Sequence, residues 1–240
     1  MIILRFIIAV LVLSTLGNSQ QRKIKLDIMD KNDISLNYLF YLPEDYKDDK
    51  EKKWPMILFL HGMGERGDDL ELVKIHGIPK IVNSKKDFSF IAVSPQCPIE
   101  FVWRDKEMLI ALESLLLKLV KNFRIDKSRV YATGLSMGGR GTWAIAAYRP
   151  DLFAAAAPIC GGGDSETASR LTKLPFWVFQ GALDTVHYPE ESEIMIKALK
   201  NKGGEVRYTL YPELHHDSWT ITYDNPELYK WFLSKNNNNN

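Results

Sequence analysis

The feature that most restricts the fold is the stretch at residues 129–143, which reads RVYATGLSMGGRGTW. Residues 130–133 are apolar and partly β-branched, as expected of a buried strand, and residues 143–147 predict a buried helix. Between them, GLSMG fits the pattern G-x-S-x-G. A strand that turns sharply into a helix holds the central residue, Ser136, in a strained conformation above the helix N-terminus. The stretch therefore predicts that Ser136 is a nucleophile; the alternative is a glycine-rich turn with an incidental serine.

Three glycines in this stretch support the prediction of a tight strand-to-helix turn. Gly134, Gly138 and Gly139 flank Ser136. We expect them to be required because the strand and helix backbones approach too closely there for a larger side chain.

Length and composition limit the number of domains and the classes of partner. A chain of 240 residues can bury one large core but is short for two domains. Its 45% hydrophobic and 25% charged residues are ordinary for a globular protein. With 31 Lys and Arg against 30 Asp and Glu, the net charge of +1 gives no basic excess for nucleic acid. We therefore predict one catalytic domain and no nucleic-acid partner.

The N-terminal segment has the pattern of a secretory signal. Arg5 is its only charge before residue 20, residues 7–13 are an unbroken apolar run, and residues 17–19 are small or polar at cleavage spacing. We predict a signal peptide at residues 1–19 and a secreted or periplasmic mature protein without stable membrane insertion. The apolar run is short for a membrane span, and a retained N-terminal anchor is the alternative.

Two features of the mature chain concern its order and its cross-links. Cys97 and Cys160 each follow a predicted strand, and both a bridge and two free thiols remain open. Residues 236–240 are all Asn, a low-complexity run that predicts disorder. The predicted domain accordingly spans residues 20–235.

The remaining elements alternate between strands and helices. Residues 23–29 and 34–42 predict an antiparallel hairpin with its turn at 30–33, and the charge run at 44–53 predicts a solvated loop. Further strands are predicted at residues 55–60, 88–94, 153–160, 176–180 and 206–211. Helices are predicted after an Asp105 cap, at 190–200 and at 226–233. This order indicates an α/β fold with a mainly parallel sheet and ligands beyond the strand C-termini.

A nucleophilic serine needs a base, and the base needs an acid that orients it. In hydrolases of this topology the partners follow the serine in the order acid, then histidine. Of the five histidines, His216 in the loop after the last strand is the predicted base, with His215 as the alternative. Asp184, after the strand at 176–180, is the predicted acid; Asp164 and Asp217 are weaker candidates because of their positions.

The tetrahedral intermediate of acyl transfer needs N–H donors for its oxyanion. Met137 supplies one backbone N–H directly after the nucleophile, and the turn after the strand at 55–60 supplies the second, from Gly62 or Met63. Glycines at 62, 64 and 67 allow amides there to point inward. For Glu65 and Arg66 we expect an ion pair that braces this loop, with substrate contact as the alternative.

Five segments together resemble the α/β-hydrolase superfamily, in particular the secreted carboxylesterases. They are LHGMGERG (60–67), SPQCP (94–98), GLSMGG (134–139), QGALD (180–184) and HDSW (216–219). That group includes feruloyl and acetylxylan esterases, polyhydroxybutyrate depolymerase catalytic domains and predicted peptidases. The resemblance implies an α/β-hydrolase fold of about eight strands with helices on both faces, a Ser-His-Asp triad, and neither cofactor nor metal. The lid insertion of the family has no room between residues 160 and 175.

An open site suits a bulky or polymer-attached ester. Trp103, Trp219 and Tyr188 are predicted in loops at the active edge, where their rings can stack on sugar or phenolic rings or else only cover the core. We predict a secreted serine esterase that acts on carboxylic esters, with feruloyl or acetyl esters of plant polysaccharide as candidates. The alternatives are a serine peptidase of the same fold and, in a different class, an inactive secreted binding module.

Overall fold

A computed structural model of the protein describes residues 21–27, 35–84 and 87–237. In these ranges the chain forms eight strands and six α-helices. The strands are β1 Arg22–Asp27, β2 Ser35–Tyr41, β3 Trp54–Leu60, β4 Ile91–Pro95, β5 Ile125–Leu135, β6 Ala155–Ile159, β7 Phe176–Gly181 and β8 Val206–Tyr211. The helices are α1 Gly77–Ser84, α2 Lys106–Asn122, α3 Met137–Tyr148, α4 Pro189–Asn201, α5 Trp219–Asp224 and α6 Pro226–Leu233.

All eight strands belong to one sheet, in the order β1-β2-β4-β3-β5-β6-β7-β8. β1 and β2 pair antiparallel, β2 pairs antiparallel with β4, and every other pair is parallel. The predicted N-terminal hairpin and the mainly parallel sheet are therefore confirmed. The predicted hairpin turn at residues 30–33 lies outside the described residues.

Helices cover both faces of the sheet, and the central strand β3 shows why its sequence is apolar throughout. Met56, Leu58 and Leu60 point into a core that includes residues of α2, α3 and α4. Ile57 and Phe59 belong to a second core with residues of α1, α5 and α6. Because successive side chains of a strand point to opposite faces, a strand between two cores needs apolar residues at every position.

Several element boundaries differ from the predicted ones. β4 begins at Ile91, because Phe88 and Phe90 are buried in the second core without joining the sheet. β5 extends over Ile125–Leu135, and helices α1 and α5 were not predicted. Asp105 directly precedes α2, but its carboxylate accepts the N–H of Val102 at 2.8 Å and does not cap the helix. The predicted capping role of Asp105 is therefore wrong.

The structure also describes the two cysteines and Asn237, near the C-terminus. Cys97 and Cys160 are both buried and unbridged, which decides between the two alternatives. Asn237 is buried, and its backbone and side-chain N–H groups donate to the carbonyls of Ser128 and Asp151. Asn237 therefore contacts the domain, while the predicted boundary at residue 235 and the predicted disorder of residues 236–240 stay predictions.

Two further findings concern the connection between β6 and β7 and the search for membrane-spanning helices. Between β6 and β7 the chain forms one short 3-10 helix, Ser165–Arg170, in agreement with the predicted lack of room for a lid. Among the residues described above, no helix has both the length and the apolar character needed to cross a membrane. The predicted signal peptide lies outside those residues.

Candidate active site

Ser136 lies in the turn between β5 and α3, with φ of 54° and ψ of −117°. A non-glycine residue held at such a φ costs roughly 1–3 kcal/mol. The backbone N–H of Ser136 donates to the carbonyl of Ile159, the last residue of β6, at 3.0 Å, and this bond helps to hold the turn. The strained backbone conformation predicted for Ser136 is confirmed.

The glycines around Ser136 allow helix α3 to pack directly against neighbouring strands. A Cβ at Gly138 would lie 1.9 Å from the carbonyl oxygen of Leu60, and one at Gly134 would lie 2.4 Å from that of Gly138. A Cβ at Gly139 would lie 2.3 Å from the oxygen of Ile159. No side chain fits at such distances, so the predicted close approach of strand and helix is confirmed.

Ser136, His216 and Asp184 form a continuous chain of hydrogen bonds. The hydroxyl Oγ of Ser136 lies 2.9 Å from Nε2 of His216, and Nδ1 of His216 lies 2.8 Å from Oδ2 of Asp184. An ionised carboxylate only accepts, so Nδ1 carries the proton and Nε2 is free to accept from the serine hydroxyl. The two loops that follow β7 and β8 thus bring the predicted acid and base to the end of β5.

The carboxylate of Asp184 is buried and fully hydrogen-bonded. Its Oδ1 accepts the backbone N–H groups of Val186 at 2.9 Å and His187 at 3.0 Å. Burial works against ionisation, but hydrogen bonds from His216, His187 and Val186 outweigh it and lower the pKa of the Asp184 carboxyl. The arrangement therefore keeps a negative charge next to the imidazole of His216.

The alternative bases and acids have other partners. Nδ1 of His215, an exposed residue, lies 2.9 Å from the carbonyl of Leu183. Asp164 accepts the N–H of Glu166 at the start of the 3-10 helix. Asp217 accepts from the backbone and hydroxyl of Thr220 in α5. No hydrogen bond joins any of these three candidates to Ser136 or His216 in the described part of the chain.

A cavity of about 300 Å³ opens beside Ser136. Met63 and Met137 both border it, together with Val102, Trp103, Arg104, Arg140, Val186 and His187. Met137 is the first residue of α3 and Met63 the first residue of a 3-10 turn that follows Gly62. The first N–H groups of a helix have no partner within it, so both residues carry amides suited to an anion.

His61 connects this loop to the segment that follows β4. Its Nε2 accepts the N–H of Cys97 at 3.0 Å, its Nδ1–H donates to the carbonyl of Gly62 at 2.6 Å, and its own carbonyl accepts Nε1–H of Trp103 at 2.9 Å. Burial lowers the pKa of His61 to about 4, so the ring is neutral near pH 7. His61 is therefore a structural residue of the loop that bears Gly62 and Met63.

Glu65 and Arg66 do not pair with each other. Arg66 donates to the carbonyls of Met63, Ile99 and Phe101 at 3.3, 2.8 and 3.3 Å. The buried carboxylate of Glu65 lies 3.8 Å from a ring nitrogen of both His61 and His76. Arg66 does brace the loop, but through backbone carbonyls, and the predicted ion pair is wrong.

The three predicted aromatic contacts have different surroundings. Trp103 is buried but borders the cavity at Ser136, and stacking by this residue stays a prediction. Trp219 is half-buried and packs edge-on against His216 and His76, with ring centroids 5.2 and 5.5 Å apart. Tyr188 is 57% exposed just before α4. Stacking by Trp219 and Tyr188 stays a prediction.

The sequence analysis missed Gln180, a fully buried residue in β7. Its Nε2 donates to Oδ2 of Asp184 and to the carbonyl of His187, both at 2.9 Å. Its Oε1 accepts the hydroxyl of the buried Ser192 of α4 at 3.0 Å. Gln180 thus anchors the acid to the neighbouring helix. A lone amide in an otherwise apolar strand was the available signal.

Within the described ranges, one group of three side chains has the spacing of a metal site. Ligand atoms of Cys160, Asp184 and His216 lie within 4.8 Å of one another. The imidazole already hydrogen-bonds to the carboxylate and to Ser136, and burial raises the pKa of the Cys160 thiol. A protonated thiol and an engaged imidazole are poor ligands for a cation. The predicted absence of a metal stays a prediction.

Comparison with known proteins places this geometry in a family. The family model described as "Dienelactone hydrolase family" matches residues 97–226, which is more than half of the 240 residues. A solved thermostable esterase is 33% identical, with a TM-score of 0.76 over 90% of this chain and 63% of that one. A solved ferulic acid esterase, 20% identical with a TM-score of 0.64, covers 89% of this chain and 96% of that one and shares the fold.

One curated relative is similar over a shorter segment. Poly(3-hydroxyalkanoate) depolymerase C of Paucimonas lemoignei is 43% identical over 61 residues, which are 25% of this chain and 15% of the depolymerase. The chain therefore spans only part of the length of this relative and of the thermostable esterase. The family match and the shared sheet topology together show that the chain belongs to the dienelactone hydrolase family and has an α/β-hydrolase fold.

Proposed function

We propose that the protein hydrolyses carboxylic esters through an acyl-enzyme intermediate, with Ser136 as nucleophile, His216 as general base and Asp184 as the acid that orients it. The observation that carries the proposal is the hydrogen-bonded series from Ser136 through His216 to Asp184 beside an open cavity. The thermostable esterase and the depolymerase support ester hydrolysis as the reaction class.

In the first half of the reaction, the ester is cleaved and the serine acylated. Nε2 of His216 takes the hydroxyl proton as Oγ of Ser136 attacks the carbonyl carbon, which forms a tetrahedral intermediate. The intermediate collapses as the C–O bond to the alcohol breaks, and His216 returns the proton to the leaving alkoxide. The alcohol departs and the acyl group stays on Ser136.

In the second half, water replaces the alcohol. His216 takes a proton from the water molecule as its oxygen attacks the acyl carbon, and it then protonates Oγ of Ser136 as the acid departs. Asp184, hydrogen-bonded to Nδ1, stabilises the imidazolium in both halves. The net reaction is ester plus water to acid plus alcohol, and the protein is restored.

The negative charge of each tetrahedral intermediate needs donors from the backbone. We assign the N–H of Met137 as the first donor and that of Met63 as the second, with Gly62 as the alternative. Support comes from their positions at the first turns of α3 and of the 3-10 turn, on the border of the Ser136 cavity.

The finer proposal is an exported esterase for feruloyl or acetyl groups on plant polysaccharide. The short connection between β6 and β7 leaves the site without a lid, which suits a polymer-attached ester. The proposed aromatic contacts are Trp103, which borders the Ser136 cavity, Trp219, which packs against His216, and the exposed Tyr188. Export rests on the predicted signal peptide at residues 1–19.

The direct test is hydrolysis of 4-nitrophenyl acetate, followed by a panel of methyl ferulate, acetylated xylan and a peptide amide. We expect turnover of the activated ester and of at least one carbohydrate or phenolic ester, with no comparable release from the amide. Mass spectrometry after treatment with a fluorophosphonate should place one adduct on Ser136. A protein that hydrolyses none of the esters would contradict the proposal.

A further inference from the structure

A second cavity adjoins the candidate active site. It has a volume of about 670 Å³, and its lining shares Arg104 and Arg140 with the 300 Å³ cavity at Ser136. It lies between α3, α4 and the connection from β6 to β7, which contributes Gly162, Gly163, Asp164, Thr167 and Arg170 to its lining. The two cavities are therefore neighbouring compartments of one surface region, and a substrate bound at Ser136 can extend from the first into the second.

The walls of the second cavity combine apolar surface with a positive charge. Tyr148 and Ile194, which are 37% and 60% exposed, contribute apolar surface. Its charged residues are Arg104, Arg140, Arg170, Asp164 and Glu191, a net charge of +1. Because Arg140 forms an ion pair with Glu191, that pair contributes little net charge to a ligand.

Arg104 and Arg170 are the residues that make this cavity suited to an anion. Both side chains are exposed and, in the ranges that the structure describes, neither makes a hydrogen bond or an ion pair. A guanidinium presents a planar set of donors that matches a carboxylate, and it keeps its charge throughout the physiological pH range. The surfaces of Tyr148 and Ile194 suit a chain with apolar ring faces between its charges.

We propose that this second cavity is a subsite for a carboxylate-bearing chain attached to the ester, held by Arg104 and Arg170 while Ser136 attacks the ester group. The inference rests on the proposed esterase function and adds a substrate class, namely esters carried by an acidic chain. The surfaces of Tyr148 and Ile194 favour a uronic-acid saccharide as this chain, because its sugar rings present apolar faces between the carboxylates.

The experiment is isothermal titration calorimetry of the full-length protein with three unesterified chains: tetragalacturonate, tetraglutamate and neutral xylotetraose. We expect an acidic chain to bind at least about tenfold more tightly than xylotetraose at low salt. Affinity should fall as sodium chloride rises from about 20 to about 300 mM, because exposed charge pairs are screened. We expect tetragalacturonate to bind more tightly than tetraglutamate, and the reverse order would contradict the saccharide as the bound chain.

The variants Arg104→Gln and Arg170→Gln should each weaken acidic-chain binding several-fold, and together by about tenfold or more. Arg22→Gln removes the same charge from an exposed position on the edge strand β1 and should bind like the wild type. The bound acidic chain should also inhibit hydrolysis of 4-nitrophenyl acetate competitively, since the two cavities adjoin.

Two results would overturn the inference: equal binding of neutral and acidic chains, or acidic-chain binding that both arginine substitutions leave unchanged. Absence of any binding would overturn it as well. Failure of the esterase proposal is a separate result, because it appears as absent hydrolysis of 4-nitrophenyl acetate, whereas calorimetry reports the subsite whether or not the ester is cleaved.

Discussion

Asp184 and His216 are joined by a hydrogen bond of 2.8 Å between Oδ2 and Nδ1, although 32 residues separate them in the sequence. The bond fixes the imidazole tautomer, because a carboxylate with no proton can only accept. Asp184 lies in the loop after β7, and His216 lies in the loop after β8. Because β7 and β8 are parallel neighbours, both loops leave the same edge of the sheet. This relationship between acid and base is the basis of the first predictions.

Replacement of Asp184 by Asn should keep the fold but allow the wrong imidazole tautomer. We expect turnover of an unactivated ester to fall roughly 10²-fold or more. Asp217→Asn is the matched control, since Asp217 caps α5 through Thr220, and it should stay within a few fold of the wild type. Steady-state kinetics of both variants test the assignment. If Asp217→Asn lowered turnover strongly and Asp184→Asn did not, Asp217 and not Asp184 would be the acid.

His216→Ala should lower kcat by about 10³-fold or more, because the serine is not activated once its base is removed. His215→Ala should cost far less, since the His215 ring is exposed and its hydrogen bond among the described residues is to the carbonyl of Leu183. Parallel measurement of kcat on 4-nitrophenyl acetate compares the two. The reverse order of losses would assign the base to His215.

Gln180 should act as a positioning residue for Asp184. Gln180→Leu removes the donor to Oδ2 and leaves the carbonyl of His187 without its amide partner, so we expect kcat to fall by about tenfold. Gln180→Glu places a second carboxyl against the buried carboxylate of Asp184, and two such groups share one proton. The neutral Glu keeps a donor to Oδ2, so Gln180→Glu should retain more of kcat than Gln180→Leu. Equal losses of kcat in the two variants would refute the positioning role.

Burial of His61 should make the protein sensitive to acid. The pKa of His61 is about 4 in the folded protein against 6.5 ordinarily. As the pH falls through 6.5, His61 becomes protonated in the unfolded chain. In the folded protein it becomes protonated only near pH 4. The free energy of unfolding is therefore highest above pH 6.5 and falls by up to about 3 kcal/mol as the pH approaches 4.

Urea unfolding at a series of pH values measures this loss. His61→Gln should flatten the dependence between pH 6.5 and 4, whereas His215→Gln, at an exposed position, should retain the wild-type slope. Identical slopes in wild type and His61→Gln would show that the buried ring is not the cause.

The arrangement of Ser136, Asp184 and His216 was predictable because it depends on chain order. Each residue follows a strand of the parallel sheet, and the C-terminal ends of parallel strands meet at one edge. The strained turn at Ser136 was predictable for a similar reason, since its glycines stand where two backbones meet. Local pattern and topology determine both features.

Features that depend on side-chain packing were not predictable from the sequence. Trp103 lies in a loop, yet its indole is buried, donates to the carbonyl of His61 and packs edge-on against the His61 ring. Asp105 has a residue type and position typical of a helix cap, but the N–H of Val102 competes for its carboxylate. The partners of Gln180 lie in the loop after β7 and in α4. Such contacts exist only after the chain has folded.

Ser136→Ala tests the central claim most directly, because no covalent acyl-enzyme can form without the hydroxyl. The measurement is kcat for 4-nitrophenyl acetate, with Ser84→Ala as the control at an exposed serine and circular dichroism as the check on folding. The proposed mechanism predicts a loss on the order of 10³-fold or more for Ser136→Ala and wild-type turnover for Ser84→Ala. A folded Ser136→Ala protein that retained about a tenth of wild-type turnover would contradict Ser136 as the nucleophile.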